Sequence, residues 1–127
     1  MGFEIITLDG RRGFLAHVDY SGPERVGKYG LDLPVLETLA VTAIQAAIAA
    51  NGIVVIDEIG PMEVRSSAFC RVVVEAMGSE AVVLGTIAKR EHPFIEQIKV
   101  IPGITLVEVR PDNRDTLPER IIGWLQD

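Results

Sequence analysis

Residues 53 to 58 set four branched aliphatics, Ile53, Val54, Val55 and Ile56, directly before two adjacent carboxylates, Asp57 and Glu58, and Ile59-Gly60-Pro61-Met62-Glu63 comes next. A continuous Val/Ile run of this kind reads as a strand buried on both faces, as in parallel sheets covered by helices. Two ionisable groups at its mouth need a reason. Buried without partners, carboxylates are costly or change their protonation, so a pair at a strand's carboxyl end belongs where a cation or substrate meets it. In open α/β sheets, that end is also where ligands bind.

The functional reading is a Walker B strand over 53–58, with Asp57 serving a hydrated Mg²⁺ and Glu58 orienting the attacking water of a nucleoside triphosphatase. The bland reading makes the two residues the polar end of a core strand, with Asp57 capping the next turn of chain. Both stay open on this segment alone.

Composition narrows the field. The 127 residues predict one compact domain, 1–127, with a real core. At 48% hydrophobic the chain is apolar, with a mean hydropathy of +0.29, yet no apolar run approaches the roughly 18 residues of a membrane span. A net charge of −6 and a pI near 4.9 argue against nonspecific binding to nucleic acid or to an anionic membrane, since both require a basic face. The single cysteine, Cys70, excludes a disulfide framework and a cysteine zinc site, and no charged leader with an apolar stretch opens the chain. A cytoplasmic location is the expectation.

Strand and helix signals alternate along the chain. Residues 3–18 predict a β-hairpin, with Asp9-Gly10 supplying the positive-φ turn. Gly22, Pro23, Gly27, Gly30 and Pro34 mark 19–34 as a loop or short edge piece. Leu36 to Ala50 predicts a helix stopped by Asn51-Gly52. Ser66 or Ser67 can cap the next helix, which turns Phe69, Val72, Val73 and Ala76 inward and ends at Gly78. Strands are expected at 81–87 and 104–109, and a short closing helix at 117–125. The alternation implies right-handed crossovers and a mainly parallel sheet.

Phosphate chemistry on such a sheet wants a glycine-rich loop. Gly22-Pro23-Glu24-Arg25-Val26-Gly27-Lys28-Tyr29 fits G-x-x-x-x-G-K but ends in Tyr where Ser or Thr should hold Mg²⁺. Glu24 would also put a carboxylate inside the cradle, and residues 29–34 do not offer a helix N-terminus to bind the anion. The segment is read as a surface loop.

Several ordered matches together resemble the thermophile-type, or cancer-related, nucleoside-triphosphatase family of P-loop NTPases. Gly2-Phe3 with Ile5-Ile6-Thr7 is similar to the family's hairpin, and Val26-Gly27-Lys28-Tyr29 with Asp32-Leu33 to its Val-Gly-x-Tyr segment. Asp57-Glu58-Ile59-Gly60 with Met62-Glu63 matches its most specific motif, Leu84-Gly85-Thr86-Ile87 its next strand, and Asn113-Arg114 its last turn. The resemblance implies a P-loop NTPase-like three-layer α/β sandwich and Mg²⁺-dependent hydrolysis of nucleoside triphosphates to diphosphates, with broad base tolerance. Family members begin with a strand, the Walker A loop and a helix; this chain starts just after them, for which a misplaced start or a truncation is expected rather than descent to an inactive form. The resemblance places the loop-bearing strand between the strand ending at Thr86 and residues 104–109, so its loss leaves open edges and predicts self-association.

The remaining candidates are lesser ones. Thr86 could sense the γ-phosphate or be an ordinary β-former. Lys89, Arg90 and Arg114 are the basic residues nearest in sequence to the strand mouths and could neutralise phosphate charge. His17 and His92 lack partners at metal-ligand spacing, Cys70 reads as a small core hydrophobe, and Arg11-Arg12 as turn charges. Two rival functions remain. A receiver-like phospho-acceptor domain would use Asp57 and Thr86, but the acidic pair and final lysine of that outline are missing; a non-catalytic interaction module would bind no Mg²⁺ nucleotide at all.

Overall fold

The computed structural model describes residues 2–126. Its first part is a four-stranded antiparallel sheet of β1 (Gly2–Ile6), β2 (Arg12–His17), β3 (Arg25–Val26) and β4 (Tyr29–Leu31), in the order β1-β2-β4-β3. The β1–β2 turn is held by Thr7 N–H on the Arg11 carbonyl (2.9 Å) and Gly10 N–H on the Thr7 carbonyl (3.0 Å), with Gly10 at φ +91°. The segment read as loop therefore contributes two short strands. Gly27-Lys28, the pair that mimics a phosphate loop, is the two-residue tip of the β3–β4 hairpin, and Gly27 takes the φ of +58° that such a tip requires.

Helix formation begins earlier than expected. Asp32 caps α1 (Leu33–Leu36) by accepting from Val35 N–H at 3.1 Å. Pro34, which punctuates loops elsewhere, lies in the first helical turn, where its missing N–H costs nothing. A π-helical stretch over Glu37–Val41 leads into α2 (Thr42–Ala49), and Gly52 lies just beyond its end.

The second sheet is the parallel pair β5 (Ile53–Ile59) and β6 (Val82–Ile87), joined through a 3₁₀ turn at Glu63–Arg65 and α3 (Ser67–Met77). Ser66 caps α3 by accepting from Phe69 N–H at 3.1 Å. A helix missed from sequence, α4 (Pro93–Lys99), comes after β6; its cap is the His92 ring, whose Nδ1 accepts from Phe94 N–H at 3.1 Å. Val54, Ile56 and Ile59 of β5 join Ile44, Phe69, Val72, Val73 and Ala76 of the helices in one core, to which α4 adds Phe94, Ile95 and Ile98. Helix α5 (Leu117–Gln126) ends the described chain, and among the described residues no helix is long and apolar enough to cross a membrane.

Two expectations need correction. Strand β5 is covered on one face only: Val54 is 2% exposed but Ile53 is 57% and Val55 49%, the alternation of a half-buried strand. Residues 104–109 form no ladder among the described residues, because a strand exists only against a neighbour and β6 pairs with β5 alone. That segment is tied down by side chains instead. Lys89 Nζ meets Glu108 Oε1 at 2.7 Å, and Asn113 donates to the Glu108 carbonyl (2.9 Å) while accepting from Arg110 N–H (2.7 Å).

Candidate active site

The parallel register pairs Ile53 with Val82 through to Ile56 with Gly85, then breaks, and resumes at Ile59 with Ile87. Asp57 and Glu58 stand in that break, joined by a cis peptide bond. Their side chains are exposed and line a cleft of about 740 Å³ between the β1–β2 hairpin, the α1–α2 helical segment and β5. Thr86, one strand over, donates its hydroxyl to Asp57 Oδ1 at 2.7 Å. The Glu58 carboxylate has no hydrogen bond or ion pair among the described residues, and so is available to water.

Gly60 turns the chain at the end of β5, and close approach explains the residue type. A Cβ there would lie 2.9 Å from Glu58 Oε1 and 2.9 Å from Glu63 Oε1, so a side chain at 60 would push one or both carboxylates from these positions. Gly60 N–H donates to Glu63 Oε1 at 3.1 Å. Burial pushes the Glu63 carboxyl above the ordinary glutamate range and the Glu58 charge adds to this, against hydrogen bonds from its own N–H and that of Gly60.

Opposite these groups, the hairpin turn presents Thr7, Asp9 and Arg11 to the cleft. Thr7 donates to Asp9, and Arg11 Nε meets both Asp9 oxygens at 3.1 and 3.2 Å; the Thr7 and Arg11 hydrogen bonds hold the Asp9 carboxyl below the usual aspartate range. Arg11 is the one cation lining the cleft among the described residues, against the carboxylates of Glu4, Asp9, Asp57, Glu58 and Glu63. This wall suits a cation.

The structure thus brings Thr86 onto Asp57, with Glu58 next to Asp57 in the chain and lining the same cleft. It does not bring Lys89, Arg90 or Arg114 to the cleft wall: Lys89 is engaged with Glu108, and Arg114 points to Asp115 at 3.9 Å. Sequence reasoning placed Glu63 in a motif but gave it no role, and took Arg11 for turn charge alone. The Gly-Pro-x-Glu spacing was the available signal for Glu63, since a turn at Gly60 returns residue 63 to its N–H. No group of three or more His, Cys, Asp or Glu side chains that could cage a metal occurs among the described residues. An Mg²⁺ site does not need one: one or two carboxylates, waters and substrate phosphates suffice, and the oxygen donors here fit that pattern.

A family model described as NTPase matches residues 1–122. Nucleoside-triphosphatase THEP1 of Thermotoga petrophila is 42% identical over 126 residues, covering 99% of this chain and 70% of that protein. The protein of the same name from Methanothermobacter thermautotrophicus is 39% identical over 127 residues, covering 99% and 71%. The crystal structure of THEP1 from Aquifex aeolicus superposes with a TM-score of 0.91 at 32% identity, covering 99% of this chain and 77% of that one. The solution structure of a human cancer-related nucleoside triphosphatase gives 0.82 at 31% identity, covering 99% and 74%. The chain belongs to the nucleoside-triphosphatase family of P-loop NTPases, and its α/β fold is that family's fold. Hydrolysis of nucleoside triphosphates is the family's activity, which takes precedence over the phospho-acceptor and interaction-module readings.

Proposed function

We propose that this protein hydrolyses nucleoside triphosphates to diphosphate and phosphate with Mg²⁺, Asp57 standing in the metal's shell and Glu58 orienting the attacking water. The observation that carries this is the pair of carboxylates at the interrupted end of β5, open to the cleft, with the Thr86 hydroxyl on Asp57. Bound Mg²⁺ would neutralise charge developing on the phosphoryl oxygens. The rest falls to the protein. Thr86 fixes the orientation of Asp57, leaving its second oxygen for the ion's water shell. Glu58, without a competing partner, accepts a hydrogen bond from water and turns its lone pair toward phosphorus. Lys89, Arg90 and Arg114 stand off the cleft wall and would serve only as outlying countercharges to phosphate, Lys89 after leaving Glu108.

Hydrolysis should stop in excess chelator and return with added Mg²⁺, and Asp57→Asn should raise the Mg²⁺ concentration needed for half-maximal rate. Equal phosphate release with and without chelator would overturn the metal assignment.

Self-association belongs to the same proposal. Among the described residues β5 and β6 pair only with each other, so each keeps an open edge beside Ile53, Val55 and Val82, all exposed. Such edges invite pairing between chains. Light scattering should show dimers or larger species, and a clean monomer at high concentration would count against this. A reducing cytoplasm suits a chain whose one cysteine, Cys70, is a free thiol.

A further inference from the structure

Glu63 takes no part in the proposed hydrolysis, yet two features of the fold place its carboxylate. The first is the turn itself. Gly60 N–H donates to Glu63 Oε1 at 3.1 Å, and Val64 N–H on the Gly60 carbonyl (3.2 Å) and Ser66 N–H on the Glu63 carbonyl (3.1 Å) carry the turn into the cap of α3. Ser66 is 1% exposed and donates to Glu37 Oε1 at 3.0 Å, so the turn is anchored to the helical segment that leads into α2. Glu63 is therefore fixed from both ends of its turn. The second feature is the shared space over Gly60, where Glu58 Oε1 and Glu63 Oε1 each lie 2.9 Å from the position a Cβ would take.

We propose that Glu63 is a positioning residue for Glu58: seated on the Gly60 N–H, its carboxyl closes one side of the space open to the Glu58 side chain and holds the Glu58 carboxylate at the cleft. This rests on Glu58 being the water-orienting group. A glutamate with three rotatable bonds and no hydrogen-bonded partner otherwise samples many directions, while a general base must stay within hydrogen-bond reach of its water. A fixed neighbour of like chemistry restricts it. The buried Glu63 carboxyl feels the Glu58 charge, and the missing Cβ at Gly60 lets both oxygens keep their places beside it.

The test is a double-mutant cycle on the whole protein, with steady-state hydrolysis of Mg²⁺-ATP and thermal unfolding measured for every variant. Glu63→Ala should lower kcat about 10- to 10²-fold, as expected for a misplaced reacting group, with KM nearly unchanged. Glu63→Gln keeps an acceptor for the Gly60 N–H and should recover most of the rate. In a Glu58→Gln background, Glu63→Ala should cost little more, since no base is left to position. Equal losses in the two backgrounds would mean a merely structural part and would overturn the proposal, as would an unchanged kcat in Glu63→Ala. If Glu58→Gln itself leaves the rate intact, the assignment of Glu58 falls first and this proposal with it. Should Glu63→Ala melt below the assay temperature, Glu63→Asp, which shortens the reach to Gly60, carries the same cycle.

Discussion

In an intact protein, with the family's Walker A loop present, Glu58→Gln should lower kcat about 10²- to 10⁴-fold and leave the fold nearly intact, the usual cost of removing a positioned general base. The carboxylate is exposed and makes no hydrogen bond or ion pair among the described residues, so an amide of the same shape disturbs no packing. Only the basicity changes: the amide oxygen still accepts a hydrogen bond from water but cannot take its proton. KM should move little, because Glu58 meets the water rather than the nucleotide. Phosphate release under saturating Mg²⁺-ATP, with circular dichroism as the control on folding, checks both halves. An unchanged kcat refutes the assignment.

The pairing of Asp57 with Thr86 was within reach of the sequence because parallel strands bring their carboxyl ends to one edge. Once Ile53–Ile56 and Val82–Leu84 are read as strands, Asp57 and Thr86 come at the end of each run and must fall close together, as the 2.7 Å hydrogen bond shows. Glu63 was only partly within reach: the Gly-Pro-x-Glu spacing signals its return to the Gly60 N–H, but not its closeness to Glu58. Its approach to Glu58 depends on the turn at Gly60, and no hydrophobic period reports a turn's direction. Helix α4 was hidden behind its cap: His92 is outside the usual set of Ser, Thr, Asp and Asn, and Pro93 reads as a loop residue until it is seen to occupy the first turn. Apolar content also misleads where a neighbour is absent. Residues 104–109 carry the composition of a strand, and Ile53 and Val55 that of a core, but composition states only how much a segment could bury. Ile104 packs against the core, but Leu106 at 52% exposure and Val109 at 64% stay mostly open without a paired strand.

Phe69→Ala should cost about 3 to 5 kcal/mol, the range for removing a buried aromatic ring from a packed core. Phe69 is 2% exposed and among the largest side chains so enclosed; it sits in the first turn of α3, where its N–H is held by the Ser66 cap. It belongs to one buried cluster with the inward residues of β5 and α2, the core on which the strand carrying Asp57 and Glu58 rests. Removing it leaves a cavity that the backbone cannot close, because the cap and the Ser66–Glu37 hydrogen bond pin the helix end in place. Phe69→Leu keeps most of the volume and should cost less, about 1 to 1.5 kcal/mol. Denaturant unfolding followed by circular dichroism, with the m-value unchanged between variants, measures both losses on one scale. A loss below about 1 kcal/mol for the alanine variant would mean that the ring carries little of that core.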